Sequence, residues 1–419
     1  MVLVRKKYSY FLAGISKICK SYFFHRIVVA AFYFTAILLA AKYIKIVDYA
    51  SILNIVFLSK FLQILNLGTV SGYFVSTYSL KDNKISRRTA KINFFQGLLS
   101  HYLIICLLLL LMNELFKTDY ILTLLSFMIL SPLYALEPYL RSKQVFSFSL
   151  APDFVLAAAL LATVGLSISG SKFDSSVIFV IVAGLFSLVV FFSCTKKRLY
   201  LFRKFKIRYS FMWDIMKVGM PVFISSALFV LMTGADRLFI PYHQDEKFQT
   251  VYFLSFQLVS GFMIVSVSLN FINTVKIGEL LNKSVDSTLF CQLSRFLKHS
   301  FAVNSISLIL LLIFSVIIEN YFLEDYNGLI FVVFFIGIGF SVFYIAGSVT
   351  PVLGYIGAQR PATKFMLAMT VISLLINLIV LYFDIEKYWL AVSTGLLLTT
   401  QGLFSLIFTF VKLKAYSTH

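Results

Sequence analysis

Five ionisable side chains lie within or beside long apolar stretches, where a charged group is energetically unfavourable. They are Lys60, Glu137, Asp153, Asp236 and Arg237. A charge at the centre of a bilayer costs about 2.5–3.5 kcal/mol even on insertion scales. Each of these groups therefore needs a partner, water or a bound ion, and together they are the first candidates for chemistry in this chain.

Lys60 lies about eight residues inside an apolar stretch at 50–78, which is roughly 12 Å along a helix axis. Its side chain is too deep to reach the membrane surface comfortably, so we expect it to face protein or water. Gln63 and Asn66 follow at i+3 and i+6 and share a polar sector with it. A cation in a polar sector suits an anionic ligand such as a phosphate. The alternative is a structural ion pair with a carboxylate from another helix.

Asp236 and Arg237 end a second apolar stretch, in the sequence TGADRLFIP. Adjacent residues on a helix point about 100° apart, which predicts a separate partner for each side chain. The functional interpretation is a gating or cation-coupling carboxylate beside a substrate-facing arginine. The alternative is an anchor at the outer rim of the membrane.

Glu137 is a weaker gating candidate, because Arg141 lies at i+4 and favours an intrahelical ion pair. Asp153 follows Pro152 at the start of a stretch, which is an ordinary feature of a helix start.

Polar residues fall on two faces of the stretch at 249–274. One face carries Gln257, Ser260, Gly261 and Ser268, and the opposite face carries Ser266, Asn270 and Asn273. One set is expected to line a cavity and the other to contact a helix, and the pattern does not distinguish them. Gln257 is a cavity candidate.

The remaining reactive residue types give no pattern of a catalytic or metal site. The four cysteines and five histidines are scattered, without CxxC or HExxH spacing. No Ser/His/Asp set, phosphate-binding glycine loop or pair of carboxylates in a shared site is present. We therefore expect no enzyme activity, no metal and no cofactor.

The elements that must position these residues are membrane helices, because 60% of the 419 residues are apolar, only 13% are charged and the mean hydropathy is +0.90. No polar span exceeds about thirty residues, which excludes a separate soluble catalytic domain. About twelve stretches are long enough to cross a bilayer. They lie at 27–44, 50–78, 93–113, 120–140, 151–170, 176–195, 215–240, 249–274, 300–318, 328–355, 364–383 and 388–411.

Basic residues predict the orientation of these spans. With a cytoplasmic N-terminus, 29 of the 37 lysines and arginines lie in cytoplasmic segments and only six lie in outer loops. Both termini are therefore predicted to be cytoplasmic. The formal charge of +19 reflects topology, so no nucleic-acid partner is expected.

A basic linker at 196–214 divides the chain into two groups of six spans. The predicted organisation is an amphipathic interfacial segment at 1–26, helical bundles at 27–195 and 215–411, and a cytoplasmic tail at 412–419. Transporters built from two halves of this kind commonly bind their substrate between the halves.

Four segments resemble bacterial polysaccharide exporters. VDYASILNIVFLSKFLQILNLGTVSGYF at 47–74 is similar to their second helix, and VGMPVFISSALFVLMTGADRLFI at 218–240 is similar to their seventh. TPVLGYIGAQRPATK at 350–364 and YWLAVSTGL at 388–396 resemble the turn before the eleventh helix and the opening of the last. The chain thus resembles the multidrug/oligosaccharidyl-lipid/polysaccharide (MOP) exporters, and within them the O-antigen repeat-unit flippases of the Wzx type.

This resemblance implies an all-α, polytopic, MATE-like fold of two six-helix bundles in the bacterial inner membrane. By alternating access, such a protein would move an undecaprenyl-diphosphate-linked oligosaccharide, an O-antigen or related repeat unit, from the cytoplasmic to the periplasmic leaflet. Its partners would be the lipid-linked glycan, membrane lipids, a polysaccharide polymerase and a chain-length regulator. Cavity candidates are Lys60, Gln63, Asn66, Arg237 and Gln257. Coupling to a proton or sodium gradient is a hypothesis, with Asp236 and Glu137 as coupling or gating candidates.

Two other functions stay open at the level of sequence. One is a drug or metabolite exporter on the same fold, which would require an aromatic cavity with an acid. The other is a membrane polysaccharide polymerase or ligase, and the short, acidic outer loops argue against it. The sequence does not identify the sugars, the coupling ion or the oligomeric state.

Overall fold

The computed structural model describes residues 26–62, 102, 122, 125–130, 151–170, 174–195, 209–243, 245–281, 287–323 and 326–417. These residues form helices and connecting turns, with no strand among them. The helices of the first part are α1 (Arg26–Tyr43), α2 (Ile46–Leu62), α3 (Ala151–Ile168), α4 (Ser175–Thr195) and α5 (Tyr209–Phe239). They are followed by α6 (Glu246–Phe262), α7 (Ile264–Leu281), α8 (Ser287–Ile317), α9 (Leu329–Gly347), α10 (Pro351–Tyr355), α11 (Gln359–Tyr382) and α12 (Trp389–Ser417).

Within the described ranges, six helices are long and apolar enough to cross a membrane. A seventh span is obtained if α6 and α7, which are bent by 44° at their junction, are counted together. The all-helical, multi-pass character of the chain is thus confirmed. The total of twelve spans and the orientation of the termini stay predictions, and the expected spans at 93–113 and 120–140 lie mostly outside the described residues.

Acidic residues that precede two of the helices satisfy backbone N–H groups that have no partner within a helix. The carboxylate of Asp174 accepts a bond from the N–H of Ser176 at the start of α4 (2.7 Å). The carboxylate of Glu319 accepts bonds from the N–H groups of Gly328 (3.0 Å) and Ile330 (2.7 Å) at the start of α9. These two acids therefore help to fix where helices α4 and α9 begin.

The described residues belong to two compact units. Unit 1 contains residues 1–34, 255–369 and 388–419, and unit 2 contains residues 35–254 and 370–387. This division does not test the domain bounds predicted from the sequence, which stay a prediction.

In unit 2, hydrogen bonds between helices set the packing around α2 and α5. The hydroxyl of Ser175 in α4 donates to Asp48 in α2 (3.0 Å). The hydroxyls of Thr370 and Ser373 in α11 donate to the backbone oxygens of Leu228 (3.1 Å) and Met232 (3.3 Å) in α5. These contacts join helices that are more than 120 residues apart in the chain.

In unit 1, α9 and α12 pack closely through glycines. A Cβ atom on Gly395 would lie 2.4 Å from the backbone oxygen of Phe335, and one on Gly402 would lie 3.0 Å from the Cα of Phe343. A Cβ on Gly339 would lie 2.7 Å from the oxygen of Gly395. Small residues allow helix backbones to approach in this way inside membranes.

Polar side chains of α7 also contact neighbouring helices in unit 1. Ser266 donates to Asn304 in α8 (2.8 Å), and Asn270 donates to the oxygen of Tyr344 in α9 (2.9 Å). Of the two polar faces predicted for the stretch at 249–274, the one with Ser266, Asn270 and Asn273 is therefore the helix contact.

Candidate functional site

Asp236 is a fully buried carboxylate near the end of α5. The hydroxyl of Tyr252 in α6 donates a hydrogen bond to its Oδ2, and the backbone N–H of Arg237 donates to its Oδ1 (2.7 Å). Burial of a carboxylate is costly unless hydrogen-bond donors replace the water that is lost. The sequence identified Asp236 as a candidate and did not identify Tyr252 as its donor.

Arg237 is buried beside this carboxylate. Its Nη2 donates to the backbone oxygen of Thr233 (3.2 Å), and its guanidinium lies over the ring of Phe57 in α2, 4.3 Å from the ring centroid. Its Nε is also 4.0 Å from Oδ1 of Asp236. The two charged groups are therefore at the limit of ion-pair distance, closer than the angle of about 100° between adjacent helix positions led us to expect. Each also has the separate partner that was predicted.

Gly234 makes room for this arrangement. A Cβ atom at this position would lie 3.2 Å from the ring of Phe57 and 3.4 Å from Nη2 of Arg237. The ring of Phe57 also meets that of Phe253 edge to face, with centroids 5.6 Å apart. The position of the arginine thus depends on a glycine in its own helix and on aromatic rings from α2 and α6.

Lys60 forms an ion pair with Asp153 at the start of α3, with 3.8 Å between Nζ and Oδ1. The pairing with a carboxylate from another helix, given as the alternative for Lys60, is the arrangement in the structure. Asp153, to which the sequence assigned no role, is that partner. The two side chains are 35% and 42% exposed, so the pair is accessible and not sealed in the core.

Lys60 and Phe57 share a face of α2, since residues three apart on a helix are neighbours. Phe57, whose ring contacts the guanidinium of Arg237, therefore precedes Lys60 by about one turn of α2. Gln63 and Asn66, predicted to extend this polar sector, lie outside the described residues, and so does Glu137.

Asn377 lies at about the same height along the helix axes as Asp236, and the sequence did not identify it as a candidate. Thr370 contacts Leu228 and Ser373 contacts Met232, so α11 and α5 run in the same direction with an offset of 142 and then 141 residues. The latter offset places Asn377, one turn after Ser373, beside Asp236 along the helix axes. Asn377 is buried, and its Oδ1 has no hydrogen-bond partner among the described residues.

Gln257, the last cavity candidate, is half-buried in α6 and belongs to unit 1, whereas Lys60, Asp236 and Arg237 belong to unit 2. Within the described ranges, no group of three or more His, Cys, Asp or Glu side chains is arranged to hold a metal ion. The site is therefore defined by Asp236, Arg237 and their contacts, with the Lys60–Asp153 ion pair in the same unit.

The fold is that of a known class of membrane transporter. The structure superposes on an inward-facing multidrug resistance MATE family transporter of the MOP superfamily with a TM-score of 0.64 and 12% identity, covering 94% of this chain and 99% of that chain. The structural neighbours are MOP superfamily transporters, so this chain has the fold of that superfamily and is a multi-pass membrane protein.

Two further neighbours have different printed functions. The lipid II flippase MurJ, in an inward closed conformation, matches with a TM-score of 0.67 and 17% identity, covering 95% of this chain and 90% of that chain. A MOP superfamily transporter from Pyrococcus furiosus, for which the polarity of the binding pocket suggests a different function, matches with a TM-score of 0.52 and 11% identity, with 95% of each chain covered. No protein-family model matches the sequence, and the comparison with curated proteins finds no match.

Proposed function

We propose that this chain is a flippase for a lipid-linked oligosaccharide. Its cargo would be an undecaprenyl-diphosphate-linked O-antigen or related repeat unit, moved by alternating access from the cytoplasmic to the periplasmic leaflet of a bacterial inner membrane. The fold supports this proposal, because it is shared over 95% of the chain with a lipid II flippase. The same proposal includes the polysaccharide polymerase and the chain-length regulator as functional partners.

The observation that carries the proposal is the position of Lys60. It lies fourteen residues after the start of α2, or about 21 Å along the helix, and 35% of its side chain is exposed. A lysine at this depth cannot face acyl chains without a large cost. The exposed part of its side chain is therefore assigned to water, as expected for a cavity that admits a hydrophilic headgroup.

The charge pattern suits a diphosphate. Lys60 is held by the accessible Asp153 through one oxygen at 3.8 Å, a loose pair that an incoming phosphate can replace. Arg237, whose guanidinium lies over the ring of Phe57 in α2, supplies a second cation. In this proposal the sugars and diphosphate occupy the water-filled space, while the polyprenyl chain stays in lipid.

Asp236 is the proposed coupling group for a proton or sodium gradient. It is fully buried, it accepts a hydrogen bond from the hydroxyl of Tyr252, and the side-chain oxygen of Asn377, at the same height along the helix axes, has no donor among the described residues. A buried acid with adjacent oxygen atoms can take up a proton or a small cation as the transporter changes state. Persistence of gradient dependence in Asp236→Asn, with transport merely slower, would remove this role.

A strain that lacks the protein tests the function directly by glycan analysis of its lipid A core. We expect no repeat unit on the core, accumulation of lipid-linked units on the cytoplasmic leaflet, and recovery with the wild-type chain. A single repeat unit on the core would mean that units still cross the membrane. That result would overturn the flippase proposal and favour a polymerase.

Variants of the Lys60–Asp153 pair test whether the lysine binds cargo. We expect Lys60→Gln to lower transport about tenfold or more, since a hydrogen bond to a charged group contributes about 1.5–3 kcal/mol. Asp153→Asn should retain transport, because Lys60 stays available. Lys45→Gln, a change of the same charge just before α2, is the control and should behave as wild type.

The double variant Lys60→Gln/Asp153→Asn distinguishes a cargo-binding role of Lys60 from a purely structural role of the ion pair. If the lysine serves cargo, the double variant is as inactive as Lys60→Gln. If the ion pair is only structural, both single variants are impaired and the double variant, in which neither charge lacks a partner, recovers.

The second candidate is a drug or metabolite exporter. The match to a MATE family transporter and the buried acid Asp236 favour it. An exporter of this kind would make the strain lacking it more sensitive to lipophilic cations while leaving its surface glycan intact, the opposite of the result expected above.

A further inference from the structure

One end of unit 1 is a small apolar core surrounded by basic residues. The core joins the end of α7, the start of α8, α10 and the end of α12. Its buried members are Ile277, Leu289, Leu293, Phe296, Val349, Val352 and Leu413. Because these segments pack on one another, the charged residues that flank them belong to the same end of the unit, which we call the basic end.

The basic end carries seven exposed cations on four helices. They are Lys276, Arg295, Lys298, Arg360, Lys364, Lys412 and Lys414. In the sequence of 272–300, 348–369 and 405–417 there are eight lysines and arginines and two acids, so the field at this end is strongly positive. Lys298 and Lys364 form no ion pair with any residue in the described part of the chain.

Three of these cations share a further property. Lys298 in α8, Lys364 in α11 and Lys414 in α12 each lie three residues from a largely exposed apolar side chain on the same helix face. These apolar residues are Phe301, Leu367 and Val411, which are 62%, 50% and 58% exposed.

The direction of the pairs is the same in all three helices. Helices α8 and α11 run away from the basic end, so Phe301 and Leu367 lie beyond their lysines. Helix α12 runs towards it, so Val411 precedes Lys414. In every case the cation is closer to the basic end, and the apolar side chain is one helical turn farther from it.

Exposed apolar side chains continue along the same helices. They include Ile306, Ile309 and Ile313 in α8, Val371, Leu375 and Leu378 in α11, and Leu403 and Ile407 in α12. In a membrane protein such faces contact acyl chains. A cation at the end of a lipid-facing apolar stripe is at the depth of the phosphate groups.

We propose that the basic end of unit 1 binds anionic phospholipids, with Lys298, Lys364 and Lys414 holding the headgroup phosphates and Phe301, Leu367 and Val411 contacting the acyl chains. The occupant is a lipid, because the phosphate contact and the apolar contact occur together on one helix face. A free phosphate or an acidic protein would use the cations alone. This site is separate from Lys60 and Asp236 and does not depend on the identity of the cargo.

Native mass spectrometry of the full chain in detergent, with dioleoyl phosphatidylglycerol as the probe, tests this site. Dioleoyl phosphatidylcholine, with the same acyl chains and no net charge, is the comparison lipid. We expect phosphatidylglycerol to be retained and the triple variant Lys298→Gln/Lys364→Gln/Lys414→Gln to weaken its binding about 100-fold, at about fivefold for each lysine. Equal retention of the two lipids by the wild-type chain would overturn the proposal.

The matched control is Lys276→Gln/Arg360→Gln/Lys412→Gln, which removes the same charge from the same end. Lys276 and Lys412 lie over the rings of Phe296 and Phe408, 5.9 Å and 5.6 Å from the centroids. None of the three has an exposed apolar side chain one turn deeper on its helix. We expect this variant to bind phosphatidylglycerol within about threefold of wild type, since only the general field is changed.

Three outcomes of the comparison contradict the proposed site. An equal loss of phosphatidylglycerol binding in the two triple variants would mean that binding depends only on the net charge of this end. Displacement of the lipid by millimolar inorganic phosphate would mean that the cations bind phosphate without the acyl chains. Binding of a poly-glutamate peptide with no retention of phosphatidylglycerol would assign the surface to an acidic protein partner instead.

Discussion

The carboxylate of Asp236 is stable in its buried position because several donors share its charge. The Tyr252 hydroxyl and the Arg237 backbone N–H bond to its two oxygens, and the Arg237 guanidinium lies 4.0 Å away. The guanidinium is itself stabilised by the face of Phe57. A cation or proton that enters this site must compete with these contacts, so a change at any of them alters the equilibrium between states.

Gly234→Ala tests how closely this cluster is packed. Its Cβ would lie 3.2 Å from the Phe57 ring and 3.4 Å from Arg237 Nη2, so one of the two must move by a few tenths of an ångström. We expect the variant to lose about 1 kcal/mol of stability, as moderate overpacking does. The measurement is the thermal unfolding midpoint of the purified protein in detergent.

Gly165→Ala in α3 is the control for this change. No heavy atom lies within 4 Å of the Cβ it would add, and alanine favours a helix over glycine. We expect an unchanged or raised midpoint. A lowered midpoint for Gly165→Ala, equal to that of Gly234→Ala, would show that the glycine in α5 is not specially constrained.

For individual residues, the sequence predicted the charged members of the site but not their uncharged partners. Asp236, Arg237 and Lys60 stand out because charges are rare in apolar stretches. Tyr252 and Phe57 do not, since the chain contains 23 tyrosines and 46 phenylalanines. Asn377 is recognised only through the offset between α5 and α11, which requires the packing of helices that are 141 residues apart.

Close packing of α9 against α12 is the clearest contact between two helices in unit 1. It depends on glycines whose missing side chains leave room for backbone atoms. Because the opposing atoms are backbone, they cannot move aside as a flexible side chain can.

Gly395→Ala is therefore expected to destabilise the protein by about 3 kcal/mol, the upper part of the range for overpacking. The added Cβ would lie 2.4 Å from the Phe335 oxygen. Gly261→Ala, whose Cβ would meet the Phe34 ring at an ordinary 3.5 Å, is the comparison and should be close to neutral. Unfolding midpoints of the two variants in detergent give the test, and equal midpoints would contradict the tight contact.

An ion pair between two short loops is a second contact that joins separate helical elements. Lys387, after α11, lies 3.0 Å from Oδ2 of Asp245, whose other oxygen accepts the N–H of Phe248 at the start of α6. Partial burial opposes ionisation of Asp245, but the Phe248 N–H and the Lys387 ammonium outweigh it. The pKa of Asp245 is therefore lowered below its usual 3.8.

A lowered carboxyl pKa in the folded state gives stability that is present above pH 4 and is lost as the pH falls through the folded value. Lys387→Gln should thus lower the unfolding midpoint at pH 7, and its difference from the wild type should shrink as the pH falls below 4. The pair is partly exposed, so we expect no more than about 0.5 kcal/mol. Lys247→Gln, in the first turn of α6 and without an ion pair among the described residues, should have no effect over the same pH range.

Apolar length predicted where most helices lie but not how they end or bend. The structure extends α5 back to Tyr209 and α8 back to Ser287, beyond the predicted stretches at 215–240 and 300–318. The added turns mix apolar residues with charged ones such as Asp214, Arg295 and Lys298, so they fall outside an uninterrupted apolar stretch. The bend of 44° between α6 and α7 directly follows Ser260 and Gly261, a pair of residue types at which helices kink, but helical periodicity alone placed both residues on a polar face.

Over the whole molecule, the distribution of charge was visible in the sequence and the arrangement of the units was not. The predicted orientation follows from the number of lysines and arginines in each loop, and this number requires only the order of the spans along the chain. Units 1 and 2 each combine segments from distant parts of the chain, and such long-range packing is not encoded in any single stretch.

Cysteine labelling tests the predicted orientation. Cys291 is exposed near the start of α8, in a segment predicted to be cytoplasmic. In a chain with Cys19, Cys106 and Cys194 changed to serine, we expect a membrane-impermeant maleimide to label Cys291 only after the membrane is opened. The reason is that loops rich in lysine and arginine are retained on the cytoplasmic side during insertion.

The control places a cysteine in a segment that the sequence predicts to be on the outer side of the membrane. Ser169→Cys, combined with Cys291→Ser in the same background, lies in the exposed turn after α3, predicted to face the outside. It should react in intact spheroplasts. Labelling of Cys291 in intact spheroplasts would reverse the orientation. The basic end would then face outward, and the cargo would have to enter the site from the opposite leaflet.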